Sequence, residues 1–246
     1  MTDTVSRQQT AARYLFAAAL AGFAVQALGA ATGIGMPPVG PPFGPVQPVW
    51  AYLEALVLLG GSAAIALNFN LEKIASGLGV LAVLYSLAVY FVNLIHDIHD
   101  GGSWTSGAEL LCLGGILLVL AGARFEGAGR VLYAAPLLVF AVQHFIYSEY
   151  VASLIPKWIP GPWFWTYFIA VAFVAATAAI ISGRLRWLAG TLLGIQFLTW
   201  VVILHFPRVL HATDGRGNEW TSLFMALAMG AGAWIVAGKR PLDASR

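Results

Sequence analysis

The sequence predicts an all-α, polytopic membrane protein with eight transmembrane helices arranged as two parallel four-helix bundle repeats. Three observations predict it. Hydrophobic residues make up 59% of the 246 residues and charged residues 10%, against about 25% charged in a soluble domain, whose surface has to be solvated. Eight apolar stretches approach or reach the roughly 20 residues that a helix needs to cross a bilayer core. Four short motifs recur in order at nearly one offset.

The first span is read from Ala11 to Thr32. Arg7, Arg13 and the small residues Ala27 to Ala30 give it some signal-peptide character. The same segment recurs in mid-chain, where it cannot be a leader, so it is expected to stay as a span. The second span, Pro48 to Asn68, carries Glu54 about 9 Å deep at a rise of 1.5 Å per residue. The third runs from Ile74 to Ile98 and the fourth from Ser106 to Gly122. Ser106 and Glu109 have capping-box spacing at the start of the fourth. Cys112 lies in an apolar run and reads as packing; as the only cysteine it forms no intrachain disulfide. The fifth span, Val131 to Tyr150, holds His144 and Glu149 toward its end. Pro162 to Ser182, Trp187 to Phe206 and Trp220 to Gly238 complete the set. Two outer loops stand apart: the Gly- and Pro-rich Gly33 to Pro48, and Ala152 to Pro160, whose prolines suggest a re-entrant or surface-lying segment.

The repeat rests on named residues. Arg13 to Ala18 matches Arg130 to Ala135, and Phe23-Ala24-Val25-Gln26 recurs as Phe140-Ala141-Val142-Gln143, both 117 residues on. Trp50-Ala51-Tyr52 recurs as Trp165-Thr166-Tyr167 at 115, and Trp104-Thr105-Ser106 as Trp220-Thr221-Ser222 at 116. The junction falls near Arg124 to Arg130, which divides the chain into residues 1–126 and 127–246. Four spans per copy is an even number, so both copies enter from one side, as a parallel repeat. Of the 13 Lys and Arg residues, ten fall on the side that holds both termini and three on the other. Positive residues collect on the cytoplasmic side, so both termini are expected there, in a multi-pass protein of the inner (cytoplasmic) membrane.

Charges within lipid are costly and usually mark partners or function. Glu54, Glu109, His144, Glu149, His96 and His205 all lie toward the outer ends of their spans. Arg208, His211, Asp214 and Glu219 are expected in the loops beyond. This pattern predicts an outward-opening polar cavity. The competing reading is helix-end structure: capping at Ser106 and Glu109, and an Arg208–Glu219 pair that staples a loop to a helix. His96 and His99 would share a face only on a continuing helix, and two histidines make no ligand set, so no metal is assigned. Only His144 has a depth suited to a haem ligand, and no cofactor is assigned. Phosphate-binding, dinucleotide and hydrolase motifs are missing, and the scattered positive charge leaves no nucleic-acid footprint.

The second half resembles the DoxX-like family of four-helix membrane proteins. The resemblance rests on Gln143-His144-Phe145, on Ile155 to Pro160, on Leu204-His205-Phe206-Pro207-Arg208-Val209, on Asn218 to Phe224 and on the Gly-rich Gly230 to Trp234. The first half resembles a degenerate copy: it keeps Trp104-Thr105-Ser106, has Ala27 at the position of His144, and has Glu54 where the second has Ile169. A glutamate in the second span is common in the family, so the resemblance implies that each copy retains a different part of the polar set. Named members of the family are linked to a membrane thiosulfate:quinone oxidoreductase. The resemblance therefore implies an accessory or quinone/lipophile-binding subunit of a membrane redox system, with Glu54, His144, Glu149, His205, Arg208, Glu219 and Trp220 as ligand-binding residues. Its partners would be the lipid bilayer, a quinone or other lipophile, and a membrane or periplasmic redox protein. Whether the chain is itself catalytic stays open. An assembly protein without a small ligand, or a small-solute or proton carrier, are the other readings.

Overall fold

The computed structural model describes residues 2–32, 48–211 and 217–238, and among these no strand forms. Eight helices are long and apolar enough to cross a membrane: α1 (Arg7–Thr32), α2 (Val49–Leu67), α3 (Leu71–His96), α4 (Gly101–Leu120), α5 (Ala123–Ile146), α6 (Pro162–Ser182), α7 (Arg186–His211) and α8 (Asn218–Ala237). The chain is thus an all-α, multi-pass membrane protein. Most of the first outer loop, and Asp214, Arg216, Lys239, Arg240 and Arg246, lie outside the described residues.

The helices α4 and α8 meet at the centre; α1 packs on α2 and α8, α5 on α6 and α4, α3 on α4, and α7 on α8. Lipid tails are as apolar as leucine, so helices in a bilayer associate through close backbone approach and hydrogen bonds. The interior is accordingly small: Ala12, Ala19, Ala24, Ala228, Ala231 and Ala233 are fully buried, while Leu56, Leu84, Val171 and Val202 face outward. A methyl group added at Gly114 would stand 3.1 Å from the Gly79 carbonyl, and one at Gly194 would stand 2.9 Å from the Gly230 carbonyl. These two approaches draw α3 onto α4 and α7 onto α8. At the centre the Tyr133 hydroxyl donates to the Met229 carbonyl at 3.0 Å, and the buried Cys112 thiol donates to the Tyr133 carbonyl at 3.2 Å.

Further ties come in matched pairs. Ser62 donates to the Ala17 carbonyl at 2.7 Å, and Thr177 to the Ala134 carbonyl at 2.8 Å. Gln26 Nε2 of α1 donates to Thr221 Oγ1 of α8, and Gln143 Nε2 of α5 donates to Thr105 Oγ1 of α4, each at 2.9 Å. Wide π-turns interrupt α3 at Ser86–Phe91 and α7 at Val201–His205. Partners in each pair lie 115 to 117 residues apart.

Proline accounts for one irregularity and neighbours another. The wide turn of α7 ends two residues before Pro207, but the equivalent turn in α3 forms with no proline near it. Helix α5 is interrupted at Ala135-Pro136. The Ala134 carbonyl beside this break is the one that Thr177 takes up, since a hydroxyl restores what irregular backbone leaves open inside a membrane.

Three sequence-based expectations are corrected. First, α4 begins at Gly101, a turn and a half before Ser106, and its cap is Asp100 in place of the Ser106–Glu109 box. The Asp100 carboxylate accepts from the Gly102 and Ser103 backbone N–H groups at 2.9 and 3.2 Å and from the Ser103 hydroxyl at 2.6 Å. Second, α7 runs to His211 and α8 already includes Glu219, so Arg208, His211 and Glu219 stand on helices and not in loops. Third, the fifth span stops at Ile146, and Glu149 and Tyr150 belong to a separate short helix, Ser148–Leu154. That helix also takes up the start of the loop expected from Ala152.

The Ser103 hydroxyl first, and then the Ser103 and Gly102 N–H groups, hold the Asp100 carboxyl below its ordinary value of 3.8. A carboxyl depressed by folding stabilises fully above its unfolded value and loses that contribution as pH falls through the folded one. Asp100→Ala should lower stability in detergent by about 1 kcal/mol, while Asp100→Asn, which still caps, keeps most of it. The difference between wild type and Asp100→Ala should shrink as pH falls below about 4. Thermal unfolding monitored across pH checks all three expectations.

Candidate functional site

In the second half, α7 presents His205 and Arg208 toward the first turn of α8. Arg208 Nε and Nη2 donate to Glu219 Oε2 and Oε1 at 2.8 and 2.6 Å, the paired fork that makes such bonds both strong and directional. His205 lies close enough to feel both charges, and its buried Nδ1 has no hydrogen-bond partner among the described residues. Trp220 follows Glu219 in sequence but stacks on Phe224 at 5.4 Å, and Phe224 meets Phe23 of α1 edge-on. The matching tie in the first half is neutral and weaker: Asn93 Nδ2 donates to Ser103 Oγ at 3.4 Å.

The remaining nominated residues stand apart from this group. His144 Nδ1 donates to the Phe140 carbonyl of its own helix at 2.7 Å, and its ring meets Phe173 edge-on at 5.5 Å. Glu149 is exposed on the short helix. Glu54 lies in the other half of the molecule. Of the seven residues, His205, Arg208 and Glu219 converge.

A second polar group forms in the first half around Glu54. Tyr85 and Tyr90 of α3 stand edge to face, with ring centroids 6.1 Å apart. Tyr90 packs against α4 beside Gly107, where an added methyl group would stand 3.0 Å from the Tyr90 Cβ, and the Ser106 hydroxyl lies within its reach. Glu54 of α2 and Glu109 of α4 both lie within electrostatic reach of Tyr90, and Glu54 also within reach of Tyr85. Glu54 is exposed on the α2 surface, and Glu109 is half-buried. Counted from the ends of their helices, these side chains lie about 8 to 16 Å into the membrane. Two carboxyl groups, two phenols and a hydroxyl thus lie in the same band of the span, around the outer part of α3. Each carboxyl donates when protonated and accepts when ionised, so the group can meet donors or acceptors on a ligand.

Sequence reasoning counted Glu109 both in the outer polar group and in a competing cap, and passed over Tyr85 and Tyr90. A signal was present: Tyr85 and Tyr90 fall at positions that match Trp200 and His205 of the second half. It also used Gln26 and Gln143 only as repeat markers, although a glutamine in a span needs a partner. Among the described residues, no three His, Cys, Asp or Glu side chains converge. His96 ends α3, and the His99 N–H donates to Asp97 Oδ1 at 2.9 Å in the turn beyond, so the two histidines share no helix face.

The Arg208–Glu219 geometry generates a test. Arg208→Ala and Glu219→Ala should each lower stability in detergent by about 1–2 kcal/mol, because both side chains are partly exposed. The double variant should lose less than the sum of the two. A double-mutant cycle of unfolding measurements reads this coupling, and strict additivity would show that the pair holds nothing together.

No protein-family model, curated protein or solved structure matches the chain.

Proposed function

We propose that the chain is a tandemly duplicated DoxX-like protein of the inner membrane that binds a quinone-like lipophile by its head group and serves as an accessory subunit of a membrane redox system. The observation that carries this reading is the cluster of Glu54, Tyr85, Tyr90, Ser106 and Glu109 inside the membrane span. A quinone carbonyl accepts hydrogen bonds and a quinol hydroxyl donates them. Carboxyl and phenol groups serve both forms, because each can act in either direction. The duplication is supported by the matched ties at Ser62 and Thr177, Gln26 and Gln143, and by the two wide turns. The placement of both termini in the cytoplasm is supported by the basic residues at one end of the bundle, Arg7, Arg13, Lys73, Arg124, Arg130, Arg184 and Arg186 among them.

One observation favours a second reading, that of an assembly protein without a small ligand. In the second half, Arg208 and Glu219 satisfy each other, and Gln143 is satisfied by Thr105 and the Gly101 carbonyl. These pairs staple helices to one another, as an assembly scaffold requires. The carrier reading is the weakest, since the cavity inward of the acid–phenol cluster is lined by apolar residues and gives a hydrated solute nothing to bind.

Purified in mild detergent, the protein should retain native quinone that organic extraction and mass spectrometry detect. Glu109→Gln and Tyr90→Phe should weaken the binding of an added ubiquinone analogue by about tenfold each, the cost of roughly 1.4 kcal/mol, with melting near that of wild type. A preparation that neither retains quinone nor binds the analogue supports the assembly reading instead.

A further inference from the structure

We infer that the basic end of the bundle holds two sites for the head groups of anionic phospholipids, one in each half, built on Arg13 of α1 and Arg130 of α5. The two arginines match at the repeat offset of 117 residues. Neither belongs to the acid–phenol cluster or to the Arg208–Glu219 pair, so the inference stands apart from the quinone reading.

Both arginines lie about two turns into their spans, counted from Arg7 and Ala123, which is roughly 10 Å at the helical rise. Each residue is half-buried, and the Nε of each is fully buried without a hydrogen-bond partner among the described residues. Among those residues neither arginine forms an ion pair or donates a hydrogen bond. The Arg13 guanidinium lies 5.5 Å from the ring of Tyr14. Acids of the chain do not answer the two charges: Glu126 is taken by Arg186, and Glu72 is exposed on the first turn of α3. An arginine cannot shed its charge by losing a proton, and an unpaired charge within a span is costly. A phosphodiester offers two oxygens in the geometry that a guanidinium fork matches. It is also the anion that a bilayer itself brings to the ends of the spans. A soluble anion or an acidic protein segment would have to pass below the head groups to reach the same nitrogens.

A matched corner of the fold adds to each arginine. The turn from α2 to α3 has left-handed residues at Asn68 and Asn70, with φ of 58° and 43°, and the turn from α6 to α7 has them at Gly183 and Leu185, with φ of 73° and 53°. The two pairs lie 115 residues apart. Neither α3 nor α7 receives a side-chain cap at its start, so each corner leaves backbone N–H groups without an intrahelical partner. Arg130 reaches the second corner: a methyl group added at Gly183 would stand 3.4 Å from Arg130 Nη1. The bonds Ser62–Ala17 and Thr177–Ala134 set α1 on α2 as they set α5 on α6, so Arg13 stands to the first corner as Arg130 does to the second. The corner alone would be an ordinary helix start. The unbonded guanidinium beside it is what calls for an anion.

Native mass spectrometry of the whole protein in mild detergent, titrated with dioleoyl phosphatidylglycerol or with dioleoyl phosphatidylcholine, tests the sites. Wild type should take up two phosphatidylglycerol molecules about tenfold more tightly than phosphatidylcholine. Arg13→Gln and Arg130→Gln should each weaken one of the two by about tenfold, and the double variant both. Arg13→Lys and Arg130→Lys keep the charge but lose the fork, so they should recover only part of the affinity; they also serve where a glutamine variant fails to fold. Arg124→Gln, a change at an exposed arginine of the same end, should leave both sites intact. Equal uptake of the two lipids would overturn the proposal. So would an equal loss in Arg124→Gln, which would leave only diffuse attraction to a basic surface. Displacement of the bound lipid by millimolar inorganic phosphate would overturn the assignment to lipid.

Discussion

A hydrogen-bonding side chain inside a bilayer has no water to turn to, and the architecture of this protein follows from how it meets that constraint. Gln26 and Gln143 lie near one end of α1 and α5. Each finds its partner on the fourth helix of the opposite half, at Thr221 and Thr105. The two bonds cross the bundle in opposite directions. They couple α1 to α8 and α5 to α4, and they bring α4 and α8 to the axis with small residues between them. The close approaches at Gly79–Gly114 and Gly194–Gly230 then add the third helix of each half to its fourth, through small residues that let backbones meet. Backbone breaks are handled alike: where Pro136 interrupts α5, Thr177 takes the open carbonyl.

Within that shared frame the two halves differ in chemistry. At the end of the third helix, one half holds a neutral Asn93–Ser103 contact and the other a forked Arg208–Glu219 pair. Between the second and third helices, one half stacks Phe173 on Phe197 and the other holds Leu58 and Ala82 at the matched positions. The second half thus pairs its charges at the end of its third helix, whereas the first sets two acids within reach of Tyr90 with no basic side chain acting on it among the described residues.

Much of the fold was legible in the sequence. Low charge content and eight apolar runs specified the spans, because a chain has few other ways to solvate such a composition. The ends of the spans were harder to read. Ser106 and Glu109 have the spacing of a capping box, yet the short Asp100 side chain reaches the free N–H groups five residues earlier, and nothing local ranks one cap above the other. Arg208 was expected in a loop because the seventh span was read to end at Phe206; the helix in fact continues to His211. The site was less legible still. Charged and histidine residues drew the sequence reading to the second half, where Arg208 and Glu219 pair with each other and His144 bonds to its own helix. Tyr85 and Tyr90 stood unmarked among many aromatic residues, and only the packing of α3 between α2 and α4 brings them within reach of Glu54 and, for Tyr90, of Glu109.

The wide turn in α3 has a consequence for the helix beyond it. Such a turn carries one residue more than the regular repeat, so each side chain that follows is swung by about 100° around the axis relative to an unbroken helix. Tyr90 and Asn93 owe their bearing to that single surplus residue. Removing one residue from Ser86–Phe91 would leave a straighter and more regular rod, yet one whose outer third points its phenol and amide away from α4.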